Sequence, residues 1–272
     1  MQFRIDGQSV FASNGGRPHV PGRPLALFVH GAGLDHTVWA MQSRWLAFHG
    51  WNVLALDLPG HGRSKGPPLR SVGALSKWIA TLTVAARAER ATLIGHSMGS
   101  LIALDVAGRY PERVQSTVLI GAAAAMPVHP ELLAAAAAND HAAIDMVNLW
   151  GFGFAAGLGG NRAPGVWMLG AGERTLERAG PGILHNDLAA CNEYREGAVA
   201  AAKVVAPTLL ICGERDLMTP LKGGRALAAI IPGAALVALG GAGHMLMAER
   251  PYEVVEAIAN HLAVGRRRPH GA

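Results

Sequence analysis

The chain is 272 residues long, half of them hydrophobic and 16 % charged, which leaves enough apolar side chains for one large α/β domain and too few charges for intrinsic disorder. Of the net charge of +5, three units sit in Arg266-Arg267-Arg268, and no stripe of Lys or Arg with interleaved aromatics occurs elsewhere, so nucleic acid is not an expected partner. The longest apolar stretches, 117–128 and 226–239, are shorter than the ~18 residues of a membrane span or are cut by Pro232-Gly233, and residues 1–6 lack the apolar core of a secretory signal. Two cysteines, Cys191 and Cys212, form neither a dense disulfide framework nor a zinc pattern. The composition points to a soluble, cytoplasmic protein.

In chain order, residues 2–5 and 9–12 flank Asp6-Gly7 and read as an edge hairpin. Short apolar runs at 25–29, 53–56, 92–94, 117–120, 208–212 and 236–239 then alternate with amphipathic stretches at 37–49, 71–87, 98–109, 221–230 and 252–264, the last preceded by Pro251. This alternation predicts a mostly parallel sheet with helices on both faces. It is interrupted at 122–204, a segment rich in Ala, Gly and aromatics with no convincing strand. The expected organisation is a core of residues 1–121 and 205–272 with a helical insertion, 122–204, after the sixth strand.

The chemistry begins at Gly95-His96-Ser97-Met98-Gly99, between an apolar run and a helical pattern. In so tight a strand-to-helix turn the serine backbone is strained, and a Cβ on either flanking residue would collide with neighbouring elements. The turn lifts Oγ off the sheet and sets it at a helix N-terminus. A serine hydroxyl is a poor nucleophile at neutral pH, so it needs a histidine base and a carboxylate to orient that base. Asp216, after the run 208–212, and His244, after the run 236–239, supply them; Glu214 is the fallback acid, and the loop beginning at Gly121 holds no competing one. An oxyanion needs two aimed donors: the N–H of Met98 gives one, and His30-Gly31-Ala32-Gly33 gives the other from Ala32 or Gly33.

With these residues, His30-Gly31-Ala32-Gly33 and its downstream Trp39, and Asp57-Leu58-Pro59-Gly60-His61-Gly62-Arg63-Ser64, the chain resembles the α/β-hydrolase fold superfamily, serine-nucleophile branch, over nearly its whole length. The resemblance implies an α/β-hydrolase fold, a triad of Ser97, Asp216 and His244 in that chain order, a cap domain at 122–204 and no metal or organic cofactor. The serine sets the chain apart from epoxide hydrolases and haloalkane dehalogenases, which carry Asp at that position. A carboxylesterase acting on a small or medium uncharged ester is expected. A lactonase or a carbon–carbon bond hydrolase would use the same machinery, and a non-catalytic small-molecule binding protein is the alternative outside enzymology.

Other residues have plainer readings. Within the cap, Met146, Leu149, Trp150, Phe152, Phe154, Trp167 and Met168 are candidates for an apolar pocket, with Trp150, Phe152 and Trp167 foremost as substrate contacts. His61 and His96 read as packing residues, Cys212 as an inert core thiol, and His185 with Asp187 as surface-loop residues without a third metal ligand. The run Gly31-Ala32-Gly33-Leu34-Asp35-His36 with Asp57 downstream approaches a dinucleotide fingerprint, but His36 occupies the third glycine position, where close helix–strand packing needs a small residue.

Overall fold

The computed structural model describes residues 1–160, 163, 165 and 167–266; Arg267 and Arg268 of the basic tail lie outside the described residues. Eight strands, β1 (Gln2–Ile5), β2 (Gln8–Ser13), β3 (Leu25–Val29), β4 (Asn52–Leu56), β5 (Ala91–His96), β6 (Val114–Ile120), β7 (Thr208–Gly213) and β8 (Ala235–Leu239), form one sheet in the order β1-β2-β4-β3-β5-β6-β7-β8. The β1–β2 and β2–β4 pairings are antiparallel and the rest parallel. Strands β3, β4, β5 and β7 are buried at every residue. Burial on both faces is why they read as continuous apolar runs.

The helices flanking the sheet are α1 (Ala40–Phe48), α2 (Val72–Ala85) and α3 (Met98–Arg109). Between β6 and β7 come α4 (Pro130–Ala137), α5 (Ala142–Gly151), α6 (Phe154–Gly157), α7 (Met168–Glu177), α8 (Ile183–Glu193) and α9 (Gly197–Ala202), and after β7 come α10 (Leu221–Ile230), α11 (Leu246–Glu249) and α12 (Pro251–Arg266). Apolar residues of α2, α3, α9 and α10 share one core cluster, those of α1 and α12 the other. The sheet is therefore covered on both faces, as the alternation predicts. None of the described helices is long and apolar enough to cross a membrane.

Two details depart from the sequence reading. The stretch expected as one helix over 37–49 is a 3-10 turn, His36–Trp39, followed by α1, because the Asp35 carboxylate accepts the Thr37 N–H and winds the entry tightly. Of the helices expected as a cap, α9 packs on α3, with the Ala200 backbone against Gly108, and Tyr194, at the end of α8, donates its hydroxyl to Asp105 of α3 at 2.7 Å. Residues of α4, α5, α7 and α8 line a cavity shared with Ser97 and His244 at the carboxyl edge of the sheet.

That edge is where the topology makes a site. The chain runs from β3 to β4 on one side and then returns to β5 on the other, so the carboxyl ends of β3 and β5 diverge at a switch point. The motif segments starting at His30 and Ser97 leave from these two adjacent strands, and Asp216 and His244 follow β7 and β8 on the same edge.

Candidate active site

Ser97 has φ +54° and ψ −119°, a conformation that L residues rarely adopt. The surrounding glycines explain how the turn fits. A Cβ at Gly95 would overlap the Gly99 carbonyl, and one at Gly99 would overlap the Val29 carbonyl of β3. The elbow is pinned by the Ser97 N–H donating to Ile120 O at 3.0 Å and by Ser100 Oγ donating to Ser97 O at 2.6 Å. Among the described residues the Ser97 hydroxyl itself makes no hydrogen bond, and Ser97 lines a cavity.

His244 and Asp216 meet as expected: the imidazole Nδ1–H donates to Asp216 Oδ2 at 2.8 Å, with both residues buried. Three further donors converge on this carboxylate, namely Thr219 Oγ1 at 2.7 Å, Thr219 N at 2.8 Å and Met218 N at 2.9 Å. Burial favours the neutral acid, but the neighbouring His244 charge and hydrogen bond, together with the Thr219 donors, hold the Asp216 pKa below the usual carboxylate value. Glu214, the fallback acid, is exposed. With Nδ1 engaged as donor, His244 Nε2 is a bare acceptor, buried and without a hydrogen-bond partner among the described residues.

The histidine loop is held from three sides. Gly151 O accepts both His244 N–H at 2.8 Å and Met245 N–H at 2.9 Å, and the buried Glu249 carboxylate accepts N–H groups of Gly243 and Gly153 at 3.0 Å. His96 Nε2–H donates to His244 O at 3.0 Å; burial and then the charge of His244 pull the His96 pKa down to about 3, so this ring is a neutral strut. His96 thus packs as the sequence suggests. Thr219 and Glu249 escape the sequence reading; the spacing Asp216-Leu217-Met218-Thr219 is an Asx-type turn that marks Thr219, whereas nothing local marks Glu249.

Of the oxyanion candidates, the N–H groups of Ala32 and Met98 have no acceptor among the described residues. Gly33 is excluded, because its N–H donates to Asp187 Oδ2 at 2.9 Å. A Cβ at Gly31 would crowd His96 Nδ1 and the Ser97 Cβ, so the Ala32 segment lies beside the elbow.

The cavity measures about 330 Å³ and is lined by Ala32, Ser97 and His244 together with residues of α4, α5, α7 and α8. Among the described residues, no Lys, Arg, Asp or Glu lines it. Trp150 and Phe152 are among its walls, as expected, and Val128, Leu132, Val147 and Leu188 complete them. Trp167 does not belong to it: it flanks the start of α7 with its indole laid over Gly170, and it is 67 % exposed. Leu149 and Phe154 also point to solvent. Aromatic content marked this segment as pocket-forming, but helix phase decides which rings turn inward.

Asp187 also corrects the sequence reading: it lies on α8, not in a surface loop, and is buried against His61. The near-dinucleotide run is explained by Asp57, which is fully buried, accepts the N–H groups of His36 and Arg63 at 2.8 Å, and meets His36 Nδ1 at 2.7 Å. Asp57 therefore presents no free acceptor for a ribose. Two clusters of ligand-type atoms occur among the described residues, Asp35-His36-Asp57 and His141-Glu173-Glu177. In the first, the carboxylates are already engaged by N–H groups and by Arg178; the second is a surface group that includes the Arg174–Glu177 ion pair.

Residues 26–258 match the model of the alpha/beta hydrolase family, and the chain belongs to that family. It is 32 % identical over 244 residues to a pimeloyl-[acyl-carrier protein] methyl ester esterase of Aromatoleum aromaticum, covering 84 % of this chain and 94 % of that protein. Among solved structures it superposes on the enol-lactonase from Burkholderia xenovorans LB400 with a TM-score of 0.86 and 25 % identity, over 97 % of this chain and all of that one. A thermophilic esterase matches with a TM-score of 0.81 and 28 % identity, over 97 % of both chains.

Proposed function

We propose that the protein is a serine hydrolase that cleaves small to medium uncharged esters through an acyl-enzyme. The observation that carries this reading is the buried Asp216–His244 pair, whose second imidazole nitrogen is left without a partner beside a cavity that Ser97 also lines. Ser97 Oγ attacks the ester carbonyl while His244 Nε2 takes its proton. Asp216 keeps the proton on Nδ1 and stabilises the imidazolium that forms. The N–H groups of Ala32 and Met98 receive the oxyanion, His244 returns the proton to the leaving alcohol, and water repeats the sequence on the acyl-enzyme. Residues of α4–α8 form a cap over the acyl group. No step needs a metal or organic cofactor, and the work falls to a protein of the cytoplasm.

The uncharged lining supports a neutral acyl group, because a buried carboxylate or ammonium would have no counter-charge there. Esterase relatives favour an open-chain ester; the enol-lactonase likeness over the whole chain favours a lactone as the second reading. Steady-state hydrolysis of p-nitrophenyl esters from C2 to C10, set against a five-membered lactone, tests the assignment. Turnover of the esters by the wild type and at least about 10³-fold less by Ser97→Ala is expected. Binding of these compounds without turnover would establish the non-catalytic alternative.

A further inference from the structure

Beneath the Gly31–Gly33 loop lies a polar cluster to which the reaction scheme gives no role. Asp187, reaching in from α8, is 1 % exposed; its Oδ2 accepts the Gly33 N–H at 2.9 Å and lies 2.8 Å from His61 Nε2. The other ring nitrogen of His61, Nδ1, lies 3.0 Å from the Pro59 carbonyl. A carbonyl and a carboxylate only accept, so both nitrogens must carry protons for both contacts to be hydrogen bonds. The geometry therefore calls for an imidazolium paired with a carboxylate inside the protein. Burial opposes that charge, but the hydrogen bond and charge of Asp187 outweigh it and raise the His61 pKa above the ordinary imidazole value.

His30, its ring centre 4.9 Å from that of His61, is of the opposite kind. Its Nδ1–H donates to Gly31 O at 2.8 Å and its Nε2 accepts the Leu58 N–H at 3.1 Å, which fixes one neutral tautomer. Burial, and then the neighbouring His61 charge, pull the His30 pKa to about 4. The two contacts bracket the oxyanion donor. Gly31 C=O and Ala32 N–H belong to one peptide plane, held at its oxygen by His30; the next plane is held at the Gly33 N–H by Asp187. Ala32 N–H itself has no acceptor among the described residues.

We propose that the buried His61–Asp187 ion pair is a positioning device for the oxyanion hole, so that docking of α8 on the core aims the Ala32 N–H at the reacting carbonyl. Neither residue lines the cavity, so both act through the loop. The proposal rests on the reading of Ala32 as an oxyanion donor. It gives α8 a second task beside walling the pocket: a cap that is displaced leaves the hydrolytic residues in place but the donor unaimed.

Asp187→Asn keeps the shape and removes the charge. Removing an oxyanion donor outright costs about 10²–10³ in kcat, and misaiming it is expected to cost about 10- to 100-fold, with KM for a short p-nitrophenyl ester within about twofold. Independently of turnover, ¹⁵N-histidine NMR across the pH range should show His61 keeping its second ring proton to higher pH in the wild type than in the variant, with faster hydrogen exchange at Ala32 and Gly33 in the variant. His61→Asn, which cannot span Pro59 and Asp187, is the second perturbation should the first fail to fold, and is expected to give the same kcat loss and faster exchange. A His61 that loses that proton at the same pH in both proteins, or an unchanged kcat with unchanged Ala32 exchange, overturns the proposal. If the wild type turns over no ester, the serine-hydrolase reading fails, while the NMR arms still decide whether the pair holds the loop.

Discussion

The elbow stores strain that a pair of substitutions at one position can measure. Ser97 sits at φ +54° and ψ −119°, caps α3 without a side-chain hydrogen bond, and its hydroxyl bonds to no described residue. Ser97→Ala therefore removes the proposed nucleophile but keeps the strained Cβ, and its stability should lie within about 0.5 kcal/mol of wild type. Ser97→Gly removes the strain as well. A non-glycine residue in such a region costs about 1–3 kcal/mol, and the larger unfolded-state freedom of glycine gives back roughly 0.5–1 kcal/mol, leaving a net gain of about 1 kcal/mol. At an unfolding entropy of roughly 2.1 cal/mol/K per residue, a chain of 272 residues converts that gain into a rise of about 2 °C. Differential scanning calorimetry of the two variants side by side is the assay. A Ser97→Gly protein that melts at or below Ser97→Ala would show that the elbow carries no such strain and that its glycines serve some other end.

Trp150→Ala is expected to shift the ratio of kcat/KM between short and medium acyl esters by at least about fivefold, on the order of 1 kcal/mol, whereas Trp167→Ala leaves it unchanged; equal effects from both would place the acyl group elsewhere. Asp216→Asn should lower kcat by about 10³–10⁴-fold, and Glu214→Gln should stay within twofold, as ester assays of the two variants will show. The raised pKa of His61 contributes stability that is fully present below the ordinary imidazole value of ~6.5 and is lost as pH rises through the folded value. The melting temperature of the wild type should accordingly fall from pH 6 to pH 9 by more than that of Asp187→Asn, and parallel curves would refute the pairing.

The parts of the fold that could be read from sequence are those where burial leaves a pattern. Strands β3, β4, β5 and β7, covered on both faces, appear as apolar runs ending in Gly or a polar motif, and helices α3 and α10 begin and end at the expected residues. The placement of Ser97, Asp216 and His244 on one sheet edge was legible because each follows a predicted strand, where local sequence and topology agree. The remaining features depend on contacts between distant segments. Asp187 and His61 are 126 residues apart and form no spaced motif, so a buried ion pair read as a packing histidine and an unrelated surface-loop acid. Glu249 tightens the histidine loop only because Gly153 and Gly243 stack backbone against backbone. The inward turn of Trp150 and the outward turn of Trp167 are set by how α5 and α7 sit on each other, which the aromatic composition of the segment does not encode.

The account stands on Ser97 as the single activated nucleophile. The direct measurement is intact-mass and peptide-mapping analysis of the purified protein after reaction with a fluorophosphonate, with Ser97→Ala treated in parallel. One adduct, mapped to Ser97, lost in the variant and accompanied by loss of ester turnover, is the predicted result. An adduct on another residue, or a Ser97→Ala protein that keeps turning over esters in a preparation free of host esterases, would contradict it.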